Sequence, residues 1–155
     1  GSQSTKIKRE RFAVELPPNW YAYTPSDTRK EPRQTTSLLD PDGSINSRIE
    51  AGPIETLKEK HASPEEWMKS SLDEYGKRMT DFSLSDEGVR SIKVGGHDAS
   101  IAEFEFSEGD IRKRAGRIAI FGKSSAVNVR YTTTADRFNA SKADIDSIVS
   151  SLTVQ

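Results

Sequence analysis

The chain of 155 residues contains no cysteine, only two histidines and no long apolar run. The absence of cysteine excludes disulfide bonds, thiol catalysis and thiolate metal ligands. No stretch approaches the length of a membrane-spanning helix, so we expect no transmembrane segment in it. The 23 basic and 24 acidic residues give a net charge of −1. This balance argues against nucleic-acid binding, because domains that bind nucleic acid usually carry a clear basic excess.

The length predicts one domain. Hydrophobic residues make up 33% and charged residues 30% of the chain, which indicates a compact core under a strongly solvated surface. We interpret residues 1–10 as a cloning remnant, Gly1-Ser2, followed by a trimmed N-terminal tail, and residues 11–155 as the single domain. A signal peptide or membrane anchor that had been trimmed would have preceded this tail.

The first predicted strand lies in the stretch FAVELPPNW at residues 12–20. Its first five residues alternate apolar and polar side chains, which is typical of a half-buried strand, and two prolines then end it. A second extended piece follows, and we place its Trp20 in the core. Tyr21 and Tyr23 belong either to the core or to an exposed recognition patch. Residues 24–35 are predicted to form a surface loop.

The stretch DPDG at residues 40–43 predicts a type I turn that joins strands near 35–39 and 45–51. The same stretch shares features with a calcium-binding loop, because Asp40 and Asp42 fall at two ligand positions. Two further ligand positions hold leucine and isoleucine, which cannot supply the oxygen atoms that calcium requires. We therefore favour the hairpin turn.

Two helices are predicted. Ser63, Pro64 and Glu66 have the spacing of a capping box with proline at the first helical position. The closing helix is expected to be capped by Asn139 or Ser141. The apolar stripe of the first helix is Met68, Leu72, Tyr75 and Met79, and that of the second is Ile145, Ile148, Val149 and Leu152.

Between the helices the apolar pattern returns to a period of two. The stretches IKV, ASIAEFEF, IRKRAGRIAIFG and SAVNVRYTT are separated by short turns that include Gly95-Gly96 and SEGD. Strands that are joined by such short turns must be antiparallel. The predicted fold class is therefore α+β, with helices packed on a central antiparallel sheet.

This order of elements resembles the PsbP-like superfamily, which includes a photosystem extrinsic subunit, a Ran-binding import factor and bacterial lipoproteins. The resemblance is carried by FAVELPPNW, SPEEWMKSSL, IKVGGHDASIAEFEF and the closing helix. It implies a PsbP-like α/β/α sandwich. It also implies a non-catalytic binding or assembly (scaffold) domain with a protein partner, in an exported and extracytoplasmic protein that is periplasmic, lumenal or at the cell surface. The superfamily has no shared catalytic motif, so we expect no enzyme activity, no cofactor and no metal.

Two alternative functions stay open. A hydrolase-type enzyme would need a site centred on His61 or His97, and a metal-binding accessory protein would need three or four converging ligands. The sequence has no H-x-H or H-x-x-x-H pair and no G-x-S-x-G nucleophile motif. We therefore predict that both histidines are solvated residues in turns.

The most concentrated charge is RKRAGR at residues 112–117. A local cluster of one sign creates a field that the net charge hides, and guanidinium groups suit carboxylates. One hypothesis is that the cluster docks an acidic protein partner; a nucleic acid is not expected, because no aromatic residues are interleaved with it. The candidate binding residues are Arg112, Lys113, Arg114, Arg117 and Arg130, together with Tyr21 and Tyr23.

The competing hypothesis is that acidic residues of the neighbouring strand neutralise this cluster inside the sheet. Glu103 and Glu105 share one face of their strand, and Glu108 and Asp110 follow them. Cross-strand ion pairs on a solvated face would then explain both sets of charges. We give this second hypothesis the greater weight.

Overall fold

The computed structural model describes residues 3–24 and 34–155, which form eleven strands and three helices. The strands are β1 (Thr5–Lys8), β2 (Phe12–Leu16), β3 (Tyr21–Tyr23), β4 (Gln34–Leu39), β5 (Asn46–Pro53), β6 (Thr80–Leu84), β7 (Arg90–Val94), β8 (His97–Glu108), β9 (Ile111–Phe121), β10 (Ser125–Thr134) and β11 (Thr153–Val154). The helices are α1 (Ile54–Lys58), α2 (Pro64–Arg78) and α3 (Phe138–Ser151). None of these helices has the length and apolar character needed to cross a membrane.

The strands form two sheets in which every pairing is antiparallel. The large sheet has eight strands in the order β3-β4-β5-β10-β9-β8-β6, and β7 also pairs with β8. The small sheet has the order β1-β2-β11. The predicted α+β class with a central antiparallel sheet is therefore confirmed.

Helix α3 and strand β2 close one face of the large sheet. The residues between them are apolar and buried because the period-two pattern of the strands sends every second side chain to this face. This face, together with the helix stripe that packs on it, forms the larger core. Its members include Phe12, Val14, Leu16, Ile49, Ile118, Ile120, Val127, Val129, Ile145, Ile148 and Leu152.

Helix α2 packs on the opposite face of the large sheet, but only on one half of it. It contacts β8, β9 and β6, and Met68, Leu72 and Tyr75 of its predicted stripe are buried in a second core that includes Phe104 and Ala115. Met79, the last member of the predicted stripe, follows the end of the helix and is partly buried. One of the two hydrogen bonds of the predicted capping box is confirmed, since Ser63 Oγ accepts from Glu66 N at 3.2 Å. The Glu66 carboxylate accepts from the N–H of Ala62 at 2.8 Å, one residue before the cap.

Several local predictions need correction. Helix α3 begins after Arg137 with no side-chain cap, so neither Asn139 nor Ser141 caps it. Instead Ser141 Oγ donates to the Arg137 carbonyl within the first turn at 3.3 Å. Strand β1 and helix α1 were not predicted, because neither shows a periodic pattern long enough to recognise.

The predicted surface loop at 24–35 lies mostly outside the described residues. Its last two residues, Gln34 and Thr35, belong to β4 and are half-buried. The predicted hairpin that follows is confirmed, because Gly43 N donates to the Asp40 carbonyl at 3.2 Å across the turn between β4 and β5. The domain boundary at residue 11 stays a prediction, although β1 pairs with β2 in the small sheet.

Candidate functional site

The basic segment of β9 divides between the two faces of the sheet. Arg112 and Arg114 project towards α3, and Arg114 is paired to two carboxylates. Its Nη2 lies 2.8 Å from Glu103 Oε1, and its Nη1 lies 2.8 Å from Glu105 Oε2. Arg112 Nε lies 3.3 Å from Glu105 Oε1. Cross-strand neutralisation, the second hypothesis, therefore describes these two arginines.

The cluster was expected to lie on a solvated face, but its central carboxylate is buried. Glu103 is only 5% exposed, and Lys142 Nζ of α3 reaches its Oε2 at 2.8 Å. Burial alone would raise the pKa of Glu103, but hydrogen bonds from Lys142 and Arg114 outweigh burial and lower it. The cluster thus fastens α3 to the sheet, which is a structural role.

Arg117 projects to the opposite face and is only 2% exposed, so it cannot act as part of an exposed docking cluster with Arg112 and Arg114. Its Nε donates to Asn128 Oδ1 at 2.7 Å, and its guanidinium carbon lies 4.8 Å from the centre of the Trp67 ring. Burial lowers the pKa of Arg117. Lys113 lies on this same side of β9 and is half-buried, next to Phe106 and Thr134 on the neighbouring strands.

Arg117 is one end of a continuous row of residues that crosses five strands. Residues that pair directly in a sheet project to the same side, and each member of this row pairs with the next. We call it the arginine–tyrosine row. From β3 to β9 its members are Tyr23, Ser37, Arg48, Arg130 and Arg117.

From Tyr23 to Arg130 the row lies on the half of the large sheet that α2 leaves uncovered, whereas Arg117 is buried under Trp67 of α2. Tyr21 is 67% exposed, Tyr23 is 59% exposed, and Leu39, which pairs with Tyr21, is 49% exposed. The structure therefore places both tyrosines outside the core, on the same surface as Arg130. We call this surface, on the α2 side of strands β3, β4, β5 and β10, the open sheet face.

A groove of about 400 Å³ separates the open sheet face from α2. The Arg130 guanidinium carbon lies 4.9 Å from the Tyr75 ring centre on one wall, and Arg48 Nε lies 3.0 Å from Glu50 Oε1 on the floor. The charged residues that line the groove are four arginines and one glutamate: Arg48, Arg78, Arg117, Arg130 and Glu50. The site is therefore strongly cationic, although the chain as a whole has a net charge of −1.

A second groove of about 370 Å³ continues the first and shares Arg48 and Arg130 with it. Its other lining residues include Asn46, Phe106 and Thr132. Because the two shared arginines stand between the grooves, the whole depression is elongated and its centre is positively charged. This geometry can bind an extended anionic ligand, and it presents aromatic surfaces beside the charges.

The side chains of His97 and Asp40 have structural partners. His97 Nε2 lies 3.1 Å from the Val154 carbonyl oxygen, and both His61 and His97 are half-buried, which corrects their prediction as solvated residues. Asp40 accepts from the N–H groups of Ser44 and Ile45 in the hairpin turn, both at 3.2 Å. Burial would raise the pKa of Asp40, but these bonds lower it. Within residues 3–24 and 34–155, no three histidine or acidic side chains cluster to hold a metal ion.

Sequence analysis did not identify Arg48, Trp67, Tyr75 or Arg78 as site residues. Arg48 has the pattern of an outward-facing charge in an alternating strand, Tyr75 belongs to the predicted helix stripe, and Trp67 lies beside that stripe. For Arg117 a signal was present, because it is followed by the apolar run IAIF. A charge next to such a run in a central strand indicates burial on both faces of the sheet.

No protein-family model and no curated protein sequence matches the chain. Its fold is nevertheless that of solved structures. The cyanobacterial PsbP (CyanoP) of Synechocystis sp. PCC 6803 superposes over 100% of this chain and 94% of its own, with a TM-score of 0.62 and 13% identity. LpqN, involved in cell envelope biogenesis of Mycobacterium tuberculosis, superposes over 99% of this chain and 91% of its own, with a TM-score of 0.64 and 13% identity.

A protein of unknown function from Pseudomonas aeruginosa also shares the fold. It covers 98% of this chain and 97% of its own, with a TM-score of 0.55 and 11% identity. These likenesses confirm the PsbP-like fold that the sequence motifs indicated. At such identities they show the fold alone.

Proposed function

We propose that this chain is a non-catalytic binding or assembly domain of an exported protein, and that it receives a protein partner on the open sheet face. The observation that carries the proposal is the arginine–tyrosine row. Arginine and tyrosine are enriched at protein interfaces, and the members of the row from Tyr23 to Arg130 lie on a sheet surface that α2 does not cover. Tyr21, Tyr23 and Leu39 add exposed apolar area at the outer end of the row.

An extracytoplasmic location is part of the proposal. Its support is the fold, which is shared with LpqN, a protein involved in cell envelope biogenesis. The sequence resemblance to a superfamily that contains bacterial lipoproteins points to the same location. Fractionation of cells that express the protein from its full native gene would test this directly, and recovery with the cytoplasmic enzymes would contradict it.

The two alternatives are weaker because His97 and Asp40, two of the residues they would use, have other partners. The ring of His97 is engaged by the backbone carbonyl of Val154, and Asp40 is engaged by the N–H groups of its own turn. A metal that binds only the folded state would add RT ln(1 + [L]/Kd) to the free energy of unfolding and would so raise the melting temperature. We therefore expect calcium and zinc at moderate excess to leave the melting temperature unchanged, and a saturable rise would favour the metal-binding alternative.

Position-resolved photo-crosslinking tests the proposed surface. A photoreactive phenylalanine analogue is placed at Tyr23 or Leu39 on the open sheet face, and at Leu84 as a control. Leu84 lies on β6 at the other end of the sheet and is also exposed. The proteins are expressed in the native cells and irradiated there.

We expect a discrete adduct from Tyr23 and Leu39 and none from Leu84. The adduct should be lost when Arg130→Ser is added, because this change removes a central charge of the row. Equal adducts from all three positions would show non-specific contact. No adduct from either position of the open sheet face would overturn the proposed function.

A further inference from the structure

The arginines on the two faces of the large sheet have different surroundings. On the closed face, Arg112 and Arg114 meet the carboxylates of Glu103 and Glu105. On the other face, the charged residues that line the groove are four arginines and only one glutamate. Like charges on directly paired residues destabilise a sheet, yet Arg117, Arg130 and Arg48 are direct neighbours on three successive strands. Glu50 offsets part of this repulsion, because its carboxylate pairs with Arg48 and attracts Arg117. An anion bound between Arg117 and Arg130 would offset more of it.

Arg117 is held in place before any ligand arrives. Its Nε is bonded to Asn128, its Nη1 lies 3.6 Å from Met68 Sδ, and its ring neighbour is Trp67. These three neighbours are uncharged, and the charged groups that act on Arg117 are the guanidinium of Arg130 and the carboxylate of Glu50. A buried guanidinium whose side chain is already fixed loses little conformational entropy when a ligand binds, which favours affinity. Burial also makes a charge–charge interaction stronger than it would be in water.

Arg130 stands beside Arg117 and is braced against the Tyr75 ring. The two planar guanidinium groups present their donors from neighbouring strands, which lie about 4.8 Å apart. A carboxylate can accept two parallel N–H bonds from one such fork. The walls next to the charges are apolar, with Leu57, Trp67 and Ala126 among the lining residues.

We infer that the inner end of this groove, at Arg117 and Arg130, is a carboxylate-binding pocket that receives an acidic segment of a peptide chain. The inference rests on the proposed function, since it names what the partner inserts into the open sheet face. A peptide fits better than a free small anion because the depression continues past Arg48 and Arg130 into the second groove. The exposed tyrosines and Leu39 extend the surface further.

An NMR titration with hexaglutamate peptide tests the pocket. The chain has two tryptophans, and they serve as internal probe and control. The indole of Trp67 stacks on Arg117 in the groove, whereas Trp20 is 2% exposed in the other core, where its Nε1 donates to Asp144 Oδ2 at 3.3 Å. We expect hexaglutamate to shift the indole N–H signal of Trp67 and to leave that of Trp20 in place, and the affinity should fall as salt rises.

Two variants with equal charge loss show whether the pocket is responsible. Arg130→Gln should weaken hexaglutamate binding about tenfold or more, because it removes a charge-assisted hydrogen bond. Lys8→Gln removes the same charge from exposed β1 in the small sheet and should bind as the parent does. Arg117→Lys keeps the charge but removes the planar pair of N–H donors. It should weaken hexaglutamate binding while the protein still shows a cooperative thermal transition.

The remaining outcomes overturn the inference. They are no shift of Trp67 with hexaglutamate, an equal shift with hexaglutamine, or equal losses in Arg130→Gln and Lys8→Gln. Tighter binding of inorganic phosphate or of phosphatidylglycerol vesicles would assign the groove to a phosphate-bearing ligand and also overturn it. If hexaglutamate does not bind while crosslinks still form from Tyr23 and Leu39, the inference of a carboxylate-binding pocket is wrong and the proposed function stands.

Discussion

At the scale of single residues, Gly116 shows how closely β9 and β10 are packed. A Cβ atom built at this position would come within 2.2 Å of the Tyr131 ring, and Tyr131 is buried and stacked on Phe138 of α3. We expect Gly116→Ala to destabilise the protein by about 1–3 kcal/mol through overpacking. Gly52→Ala is the matched control, because a Cβ at Gly52 meets no atom within 4 Å. Urea denaturation measures both, and equal stabilities would refute this packing.

Glu103 makes stability depend on pH. Its pKa is lowered on folding from the ordinary value of 4.5, so the unfolded chain binds its proton more readily than the folded protein. The stability it contributes is therefore present above pH 4.5 and is lost as the pH falls through the lowered pKa. We expect Glu103→Gln to cost about 1.5–3 kcal/mol at pH 7 and to lose less stability than the parent on acidification. Urea denaturation from pH 7 to pH 3 measures this, with Glu59→Gln as an exposed control whose profile should follow that of the parent.

At the scale of elements, the start of α2 is set by a few polar bonds. Ser63 accepts from Glu66 N, and the apolar stripe then packs on the sheet. Ser63→Ala should cost about 1 kcal/mol, because it leaves a helix N–H without its partner. Ser70→Ala, on the exposed side of the same helix, should change stability by less than about 0.5 kcal/mol. A difference of zero between the two variants in thermal unfolding would show that the cap contributes nothing.

An element could be predicted when the residues that determine it lie close together in the sequence. The strand at 12–16, the hairpin turn at Asp40 and the start of α2 depend on residues close in sequence, so pattern and capping rules sufficed. The site depends on register between two groups of strands, β3 to β5 and β9 to β10, that are far apart in the chain. No local pattern reveals that Tyr23 and Arg117 belong to one row, or that α2 covers only half of the sheet.

At the scale of the whole molecule, the large sheet has one closed face and one half-open face. The arginines on the two faces have different partners. Arg112 and Arg114 pair with carboxylates on the α3 side of the sheet, whereas Arg48 and Arg130 line the groove on the other side. Arg112→Ser combined with Arg114→Ser should cost about 3–5 kcal/mol, because Glu103 is left buried with one cation removed. Arg48→Ser combined with Arg130→Ser should cost about 1 kcal/mol or less.

These two double variants remove the same charge from strands of one sheet, so net charge cannot explain a difference between them. Urea denaturation should therefore separate them by stability, and crosslinking from Tyr23 should separate them by binding. The variant at Arg48 and Arg130 should stay folded and lose the adduct. If it unfolds instead, its arginines support the fold, and the open sheet face loses its basis as a binding surface. If the variant at Arg112 and Arg114 is as stable as the parent, the ion pairs beneath α3 do not hold the closed face together.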